Sequence, residues 1–282
     1  MVSVAALGES RAAQPRALII TIYGLYAREA GGWLSVAALI RLLSELDVDE
    51  PAVRSSISRL KRRGILAGER RDGTAGYALS DRARAILAEG DRRIFERRRA
   101  EPSTQWLLAV FSVPESERQQ RHLLRSRLTW LGFGTVSAGV WIAPGHLYGE
   151  ARDVLEGAGL APYVDLFRAD YLAFGRVADL VAQWWDFAEL QRLYDDFCQT
   201  YGPVVARWRQ RRSVTPSADA AAFADYVLAL NDWRRLPYRD PGLPAEVLPR
   251  NWRGARAADL FFALRDRLGD SAHRHVLRVL SG

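Results

Sequence analysis

Between residues 15 and 100 apolar residues recur at helical spacing in four separate runs, interrupted by a single strand–turn–strand stretch. That order constrains the chain more than any other feature. PRALIITIYGLYAR, residues 15–28, puts Pro15 in a first helical turn, and Gly31-Gly32 ends the helix. WLSVAALIRLLSEL, Trp33 to Leu46, reads as a second amphipathic helix with Ser35 as a candidate cap. Asp47-Val48-Asp49 leads into a third helix, Glu50 to Arg63, with Asp49 as N-cap, Pro51 in the first turn and Gly64 as the C′ residue. Ile65-Leu66-Ala67, Glu69-Arg70-Arg71, a turn over Asp72-Gly73-Thr74-Ala75-Gly76, and Tyr77-Ala78-Leu79 read as a β-hairpin with a basic arm and a flexible tip. Ser80-Asp81 caps a long helix to about Arg99. Helix, helix, helix, hairpin, helix is the layout of a winged helix-turn-helix, assigned to 15–100 behind a loose tail, 1–14.

Glu101-Pro102-Ser103 breaks the pattern and marks a boundary. QWLLAVFSV, 105–113, has the character of a buried strand. Glu115 to Leu131 is helical, Gly132-Phe133-Gly134 turns, and Thr135 to Ala143 is a short strand pair or one bent strand. Ala151 to Gly157 is helical and Tyr163 to Ala169 is another strand. Strand, helix, strand, strand, helix, strand is the ferredoxin-like order, expected over 101–175 as a dimerisation domain. From 176 to 282 the pattern is helical: Asp186–Arg212, Ser217–Leu236, Arg256–Leu268 and Ser271–Leu280. A proline-rich loop, 237–250, interrupts it. This part is expected to be a helical domain for effector binding or dimerisation. The fold class is therefore α+β.

Charge becomes informative once it is located. The chain carries a net charge of +7. Residues 1–100 hold 18 basic and 12 acidic residues, a net of +6, which leaves +1 for the remainder. A local excess of this kind suits a partner with regularly spaced negative charge, such as nucleic acid; a soluble basic face without a partner is the alternative. On a helical wheel of 50–63, Val53, Ile57 and Leu60 share one arc with Ser56 beside them, while Arg54, Ser55, Ser58, Arg59 and Arg62 lie opposite. Such a helix fits a major groove of double-stranded DNA. Arg54, Ser55 and Ser58 are candidates for base edges, because the first part of a recognition helix normally reads them. Arg59, Lys61, Arg62 and Arg63 are candidates for the phosphate backbone. Arg70 and Arg71 would act from the wing, over the backbone or in the minor groove.

Much other chemistry finds no support. One cysteine, Cys198, forms no intramolecular disulfide framework and reads as a small buried hydrophobe in a reducing cytoplasm. No apolar run is long enough to span a membrane, and the opening residues do not read as a signal peptide. The sequence contains no nucleophile elbow, Walker loop or dinucleotide fingerprint. His273 and His275 stand two apart on a predicted helix and so face different ways, which argues against a metal site. The chain is expected to be neither an enzyme nor a carrier of a cofactor.

The chain resembles the PaaX-type repressors of phenylacetate catabolism over nearly its whole length. The resemblance rests on EPAVRSSISRLKRRGIL (50–66) with Tyr77-Ala78-Leu79-Ser80, on Leu128 to Ala143, and on LPYRDPGLPAEVLPRNWRG (236–254), whose proline spacing is the most specific part. It implies a homodimeric repressor with phenylacetyl-CoA as inducer. The middle segment also looks like the small ferredoxin-like nuclease subunit of CRISPR adaptation complexes. There the first strand ends in a metal-binding Asp; here Ser112 stands at the matching place, a poor ligand for Mg²⁺. A scaffold without nuclease chemistry is expected.

An acyl-CoA effector needs cations for its phosphates and an apolar slot for its acyl group. Tyr238, Arg239, Trp252 and Arg253 are the candidate lining, although aromatics at such spacing often belong to a core and Arg239-Asp240 could be a loop ion pair. A regulator answering another acyl-CoA or aromatic metabolite, a metal-dependent nuclease, and a protein-interaction module stand as the rival readings.

Overall fold

The computed structural model describes residues 14–29, 31–96, 100, 105–172, 174–211 and 215–281. The expected tail apart from residue 14, the boundary at 101–103 and Arg97, Arg98 and Arg99 lie outside the described residues. The elements are α1 (Gln14–Ile22), β1 (Trp33–Ser35), α2 (Val36–Ser44), α3 (Glu50–Arg62), β2 (Leu66–Arg71), β3 (Thr74–Leu79) and α4 (Asp81–Phe95). Then come β4 (Trp106–Phe111), α5 (Arg118–Trp130), β5 (Gly134–Ser137), β6 (Val140–Pro144), α6 (Tyr148–Gly157) and β7 (Val164–Ala169). The chain ends with α7 (Val177–Trp184), α8 (Phe187–Gln210), α9 (Pro216–Trp233) and α10 (Gly254–Ser281). The α+β class expected from the sequence holds.

Two compact units emerge, and residues 176–282 contribute to both. One is built from Val2–Glu96, Phe197–Arg234 and Arg256–Gly282, the other from Arg97–Asp196 and Arg235–Ala255.

In the first unit α1 packs against α3 and α9. A π-helical turn, Tyr23–Ala27, follows α1. Tyr26 meets Phe223 with ring centroids 5.9 Å apart. Trp33–Ser35 departs from the predicted second helix: it is a strand pairing antiparallel with β3, so the sheet runs β1-β3-β2. Three residues are too few to show a period of two, whereas the apolar pattern of α2 behind them shows clearly. Ser35 does cap α2, accepting from the Ala38 N–H at 3.1 Å. The predicted five-residue hairpin tip is also shorter. Asp72 and Gly73 alone form the turn, both with positive φ (47° and 77°), and Arg71 pairs with Thr74. Asp-Gly suits the two-residue turn whose twist matches the strands, so Thr74 to Gly76 continue the ladder.

The two last helices predicted are one, α10. Gly269 at its middle has open space around it. An interior glycine costs about 1 kcal/mol, less than breaking the buried stripe of Phe261, Leu264, Leu268, Ala272 and Val276.

In the second unit the sheet order is β5-β6-β4-β7, antiparallel throughout. The segment 135–143 is thus a strand pair. Leu107, Ala109 and Phe111 of β4 pack with Leu124 and Leu128 of α5 and Ala151 and Leu155 of α6. On the opposite face Leu108 and Ile142 lie with Val181, Trp185, Phe187 and Leu243 in a second cluster. The residues of β4 therefore alternate between two cores, as the two-residue period of a strand requires.

Candidate nucleic-acid interface and effector region

Helix α3 starts where Asp49 accepts the Ala52 N–H at 2.7 Å and ends where Gly64 takes a φ of 67°. The Ile65 N–H reaches back to the Leu60 carbonyl at 3.0 Å, which closes the helix as a glycine C′ residue should. Val53, Ser56, Ile57 and Leu60 are buried. Arg54, Ser55, Ser58, Arg59, Lys61, Arg62 and Arg63 are all exposed. The helix thus presents five cations interleaved with Ser55 and Ser58, held in place by its apolar side. Arg54 is not bare: its Nε donates to Glu50 Oε1 at 2.7 Å. Sequence reasoning did not weigh this pair, although the spacing of four residues on a helix is its signal.

Two tryptophan and arginine contacts brace the β2–β3 hairpin. Trp33 Nε1 donates to the Glu69 carbonyl at 3.1 Å, and the Arg71 guanidinium lies 5.4 Å from the centroid of the same indole. Arg71 also pairs with Glu69 at 2.6 Å. Arg71 is half-buried and committed to these contacts, whereas Arg70 is exposed beside the turn and donates to the Gly73 carbonyl at 2.5 Å. Arg84 of α4 donates to the Gly31 carbonyl at 3.3 Å. The Tyr23 hydroxyl donates to the Tyr77 carbonyl at 2.8 Å. Burial, with Tyr77 adding to it, holds the Tyr23 phenol well above the usual range, so it remains a donor. Trp33, Arg84 and Tyr23 were not legible as parts of this frame, because their partners are distant in sequence.

The four candidate effector residues lie in the second unit and are engaged one by one. Tyr238 is buried and stacks on Trp130, centroids 4.9 Å apart. Arg239 pairs with Glu189 at 2.7 Å rather than with its neighbour Asp240, which accepts instead from the Tyr194 hydroxyl at 2.7 Å. The sequence-adjacent ion pair is thereby corrected. Trp252 stands edge-on to Phe187 and Tyr194, and its Nε1 is buried without a hydrogen-bond partner. Arg253 pairs with Asp195 at 3.2 Å. Tyr194 links Trp252 with the loop that carries Tyr238, so the four residues share one framework.

Ser112 follows β4 and is exposed. Cys198 is half-buried, more open than a core thiol. His275 lies 2.7 Å from Glu45, and His273 lies 3.8 Å from Glu29. Among the described residues no three of His, Cys, Asp and Glu are grouped to hold a metal ion, and no helix is long and apolar enough to cross a membrane.

Comparison with known proteins follows the chain from end to end. Residues 14–83 match the PaaX-like protein family, 99–181 the PaaX protein central Cas2-like domain, and 185–278 the PaaX-like protein C-terminal domain. The transcriptional repressor PaaX of Escherichia coli (strain K12) is 28% identical over 262 residues, which span 90% of this chain and 80% of that one. A solved structure, the uncharacterized protein Rv0674 from Mycobacterium tuberculosis, is similar in fold with a TM-score of 0.57 and 24% identity, covering 90% of this chain and 99% of that one. Three family segments in succession span the chain from residue 14 to residue 278, and the protein belongs to the PaaX family.

Proposed function

We propose that this chain is a transcriptional repressor that binds a double-stranded DNA operator through a winged helix-turn-helix, with α3 in the major groove and the β2–β3 hairpin as the wing. The observation that carries the reading is the division of α3: Val53, Ile57 and Leu60 buried, Arg54, Ser55, Ser58, Arg59 and Arg62 exposed. A basic helix end alone would complement the helix dipole and covers Arg59, Lys61 and Arg62 of the last turn, but it does not account for Arg54 in the first half of α3. Arg59, Lys61, Arg62 and Arg63 contact phosphate, while Arg54, Ser55 and Ser58 meet base edges. Within the wing Arg70 meets DNA and Arg71 acts by steadying the hairpin. The relative from Escherichia coli is named a transcriptional repressor, and the same regulatory role, without enzymatic activity and in the cytoplasm, is the one assigned to this chain.

The order β5-β6-β4-β7 with α5 and α6 on one face supports a ferredoxin-like unit. Val110 and Phe167, 37% and 50% exposed on the other face, give a homodimer a surface to cover. An acyl-CoA, phenylacetyl-CoA on the family resemblance, releases the dimer from DNA by binding its weakly DNA-binding state better. Tyr238, Arg239, Trp252 and Arg253 belong to the framework that senses it.

Fluorescence anisotropy on DNA from upstream of the protein's own gene tests the reading. Arg59→Ala, by removing a phosphate contact, should weaken binding about tenfold, and affinity should fall by several orders of magnitude between about 50 and 200 mM salt. Phenylacetyl-CoA should release the DNA. An affinity indifferent to Arg59→Ala and to salt would overturn the interface.

A further inference from the structure

Arg127, on α5, is 8% exposed. Its Nε is shut off from solvent with no hydrogen-bond partner, and among the described residues no carboxylate pairs with it. Other cations of this unit are treated differently. Arg121 has Glu115 at 2.9 Å, Arg239 has Glu189 and Arg253 has Asp195. Burial holds the Arg127 guanidinium below its usual pKa range, yet an arginine in a protein keeps its proton. A desolvated charge without a counter-charge is costly, and buried charges are as a rule paired.

The surroundings of Arg127 are specific. Leu124 and Leu128 are fully buried beside it on the same helix. Trp130 lies one turn further along the same side of α5 and stacks on Tyr238. Just past the helix Gly132 meets the loop after Tyr238, where a Cβ on the glycine would stand 3.3 Å from Pro241 Cα. A cation without a carboxylate partner among the described residues therefore lies a helical turn from an aromatic stack and its loop.

We infer that Arg127 is the anion-binding residue of a ligand site in this unit, its guanidinium receiving a phosphate or carboxylate group close to the Trp130–Tyr238 stack. The planar fork of five donors suits either group. That this anion belongs to the effector rests on the effector reading above; that Arg127 binds an anion does not. Arg239 and Arg253, already paired, have a supporting part in the site.

The test uses the full chain and its Arg127→Met and Arg127→Lys variants. Binding is measured by isothermal titration, and melting temperature is followed in parallel, with inorganic pyrophosphate, phenylacetate and phenylacetyl-CoA at constant ionic strength. At least one of the three should bind the parent protein and raise its melting temperature beyond what chloride does. Arg127→Met should melt no lower than the parent when free of ligand, and its affinity for that probe should fall at least tenfold. Arg127→Lys should keep the charge and part of the affinity. Pyrophosphate binding points to a phosphate source, phenylacetate to a carboxylate. If Arg127→Met or Arg127→Lys binds every probe as the parent does, or if the parent responds to none beyond chloride, the site is overturned. Anion binding lost in Arg127→Met while phenylacetyl-CoA still releases DNA upholds the site and moves the effector elsewhere. Anion binding through Arg127 in a protein that phenylacetyl-CoA never releases upholds the site and defeats the effector reading.

Discussion

The indole of Trp33 fills the space in front of Gly76: a Cβ on that glycine would stand 2.3 Å from two ring carbons and 2.6 Å from the Leu34 carbonyl oxygen. Glycine is needed here for close approach, and its φ is not the reason. The same ring receives Arg71 on its face and donates to Glu69, so it joins β1 to both arms of the hairpin. Gly76→Ala should displace the ring and lower stability by about 1–3 kcal/mol. Chemical denaturation reads this directly. DNA affinity should fall with it, because Arg71 loses its support; a denaturation midpoint equal to that of the parent would remove Trp33 from this role.

What the sequence revealed, and what it withheld, divides along the same line. Helix α3 was legible down to its caps, because Asp49, Pro51 and Gly64 act within a few residues of where they stand. Strand β1 was hidden, since its pairing with Tyr77 and Ala78 is a matter of tertiary contact. The candidate interface followed from helical period alone and could be placed by number. The effector candidates could not be resolved in this way. Tyr238 finds Trp130, Arg239 finds Glu189 and Arg253 finds Asp195, partners 50 or more residues away that no local pattern announces. Arg127, on an arginine-rich helix, carried no signal that it alone would be buried.

Glu50 holds Arg54 at 2.7 Å on the exposed start of α3. Both side chains are more than half exposed, so the pair adds only a few tenths of a kcal/mol to the helix. With α3 in the major groove as proposed, its larger effect is on DNA, since it places a negative charge beside a polyanion. Glu50→Gln should leave the melting temperature nearly unchanged and raise operator affinity, while Arg54→Ala should lower it. Anisotropy at two salt concentrations separates charge from base reading. An unchanged affinity in Glu50→Gln would mean that α3 does not meet DNA at this end.

The Tyr194 hydroxyl donates to Asp240, whose other oxygen accepts the Gly242 N–H at 2.8 Å. One carboxylate thus ties α8 to the loop after Tyr238. Tyr194→Phe keeps the ring that packs on Trp252 and removes only the hydroxyl. A hydrogen bond to a charged acceptor contributes about 1.5–3 kcal/mol. The variant should lose stability in that range, seen as a lower denaturant midpoint with the slope unchanged. A loss below about 0.5 kcal/mol would show that Asp240 is held without it.

Asp219, 2% exposed in the first turn of α9, receives Arg274 on one oxygen and Arg278 on the other, each at 3.0 Å. Burial by itself raises a carboxyl pKa; here the hydrogen bonds from the two arginines and the attraction of Arg274 outweigh it and hold Asp219 below its ordinary 3.8. A carboxyl with a lower pKa in the folded chain than in the unfolded one stabilises the fold above the unfolded value, and that contribution disappears as pH falls through the folded value. Stability should therefore be insensitive to this group at neutral pH and decline below about pH 4. Asp219→Asn keeps the shape but removes the charge, leaving two arginines facing a neutral amide. With Arg274 and Arg278 themselves partly exposed, it should cost about 1–3 kcal/mol at neutral pH and flatten the acid limb of the stability curve. Because the carboxylate is buried, added salt should restore little of the loss. Equal acid limbs in parent and variant would show that Asp219 titrates alike in the folded and unfolded chain, and that the two arginines do no more than cover it.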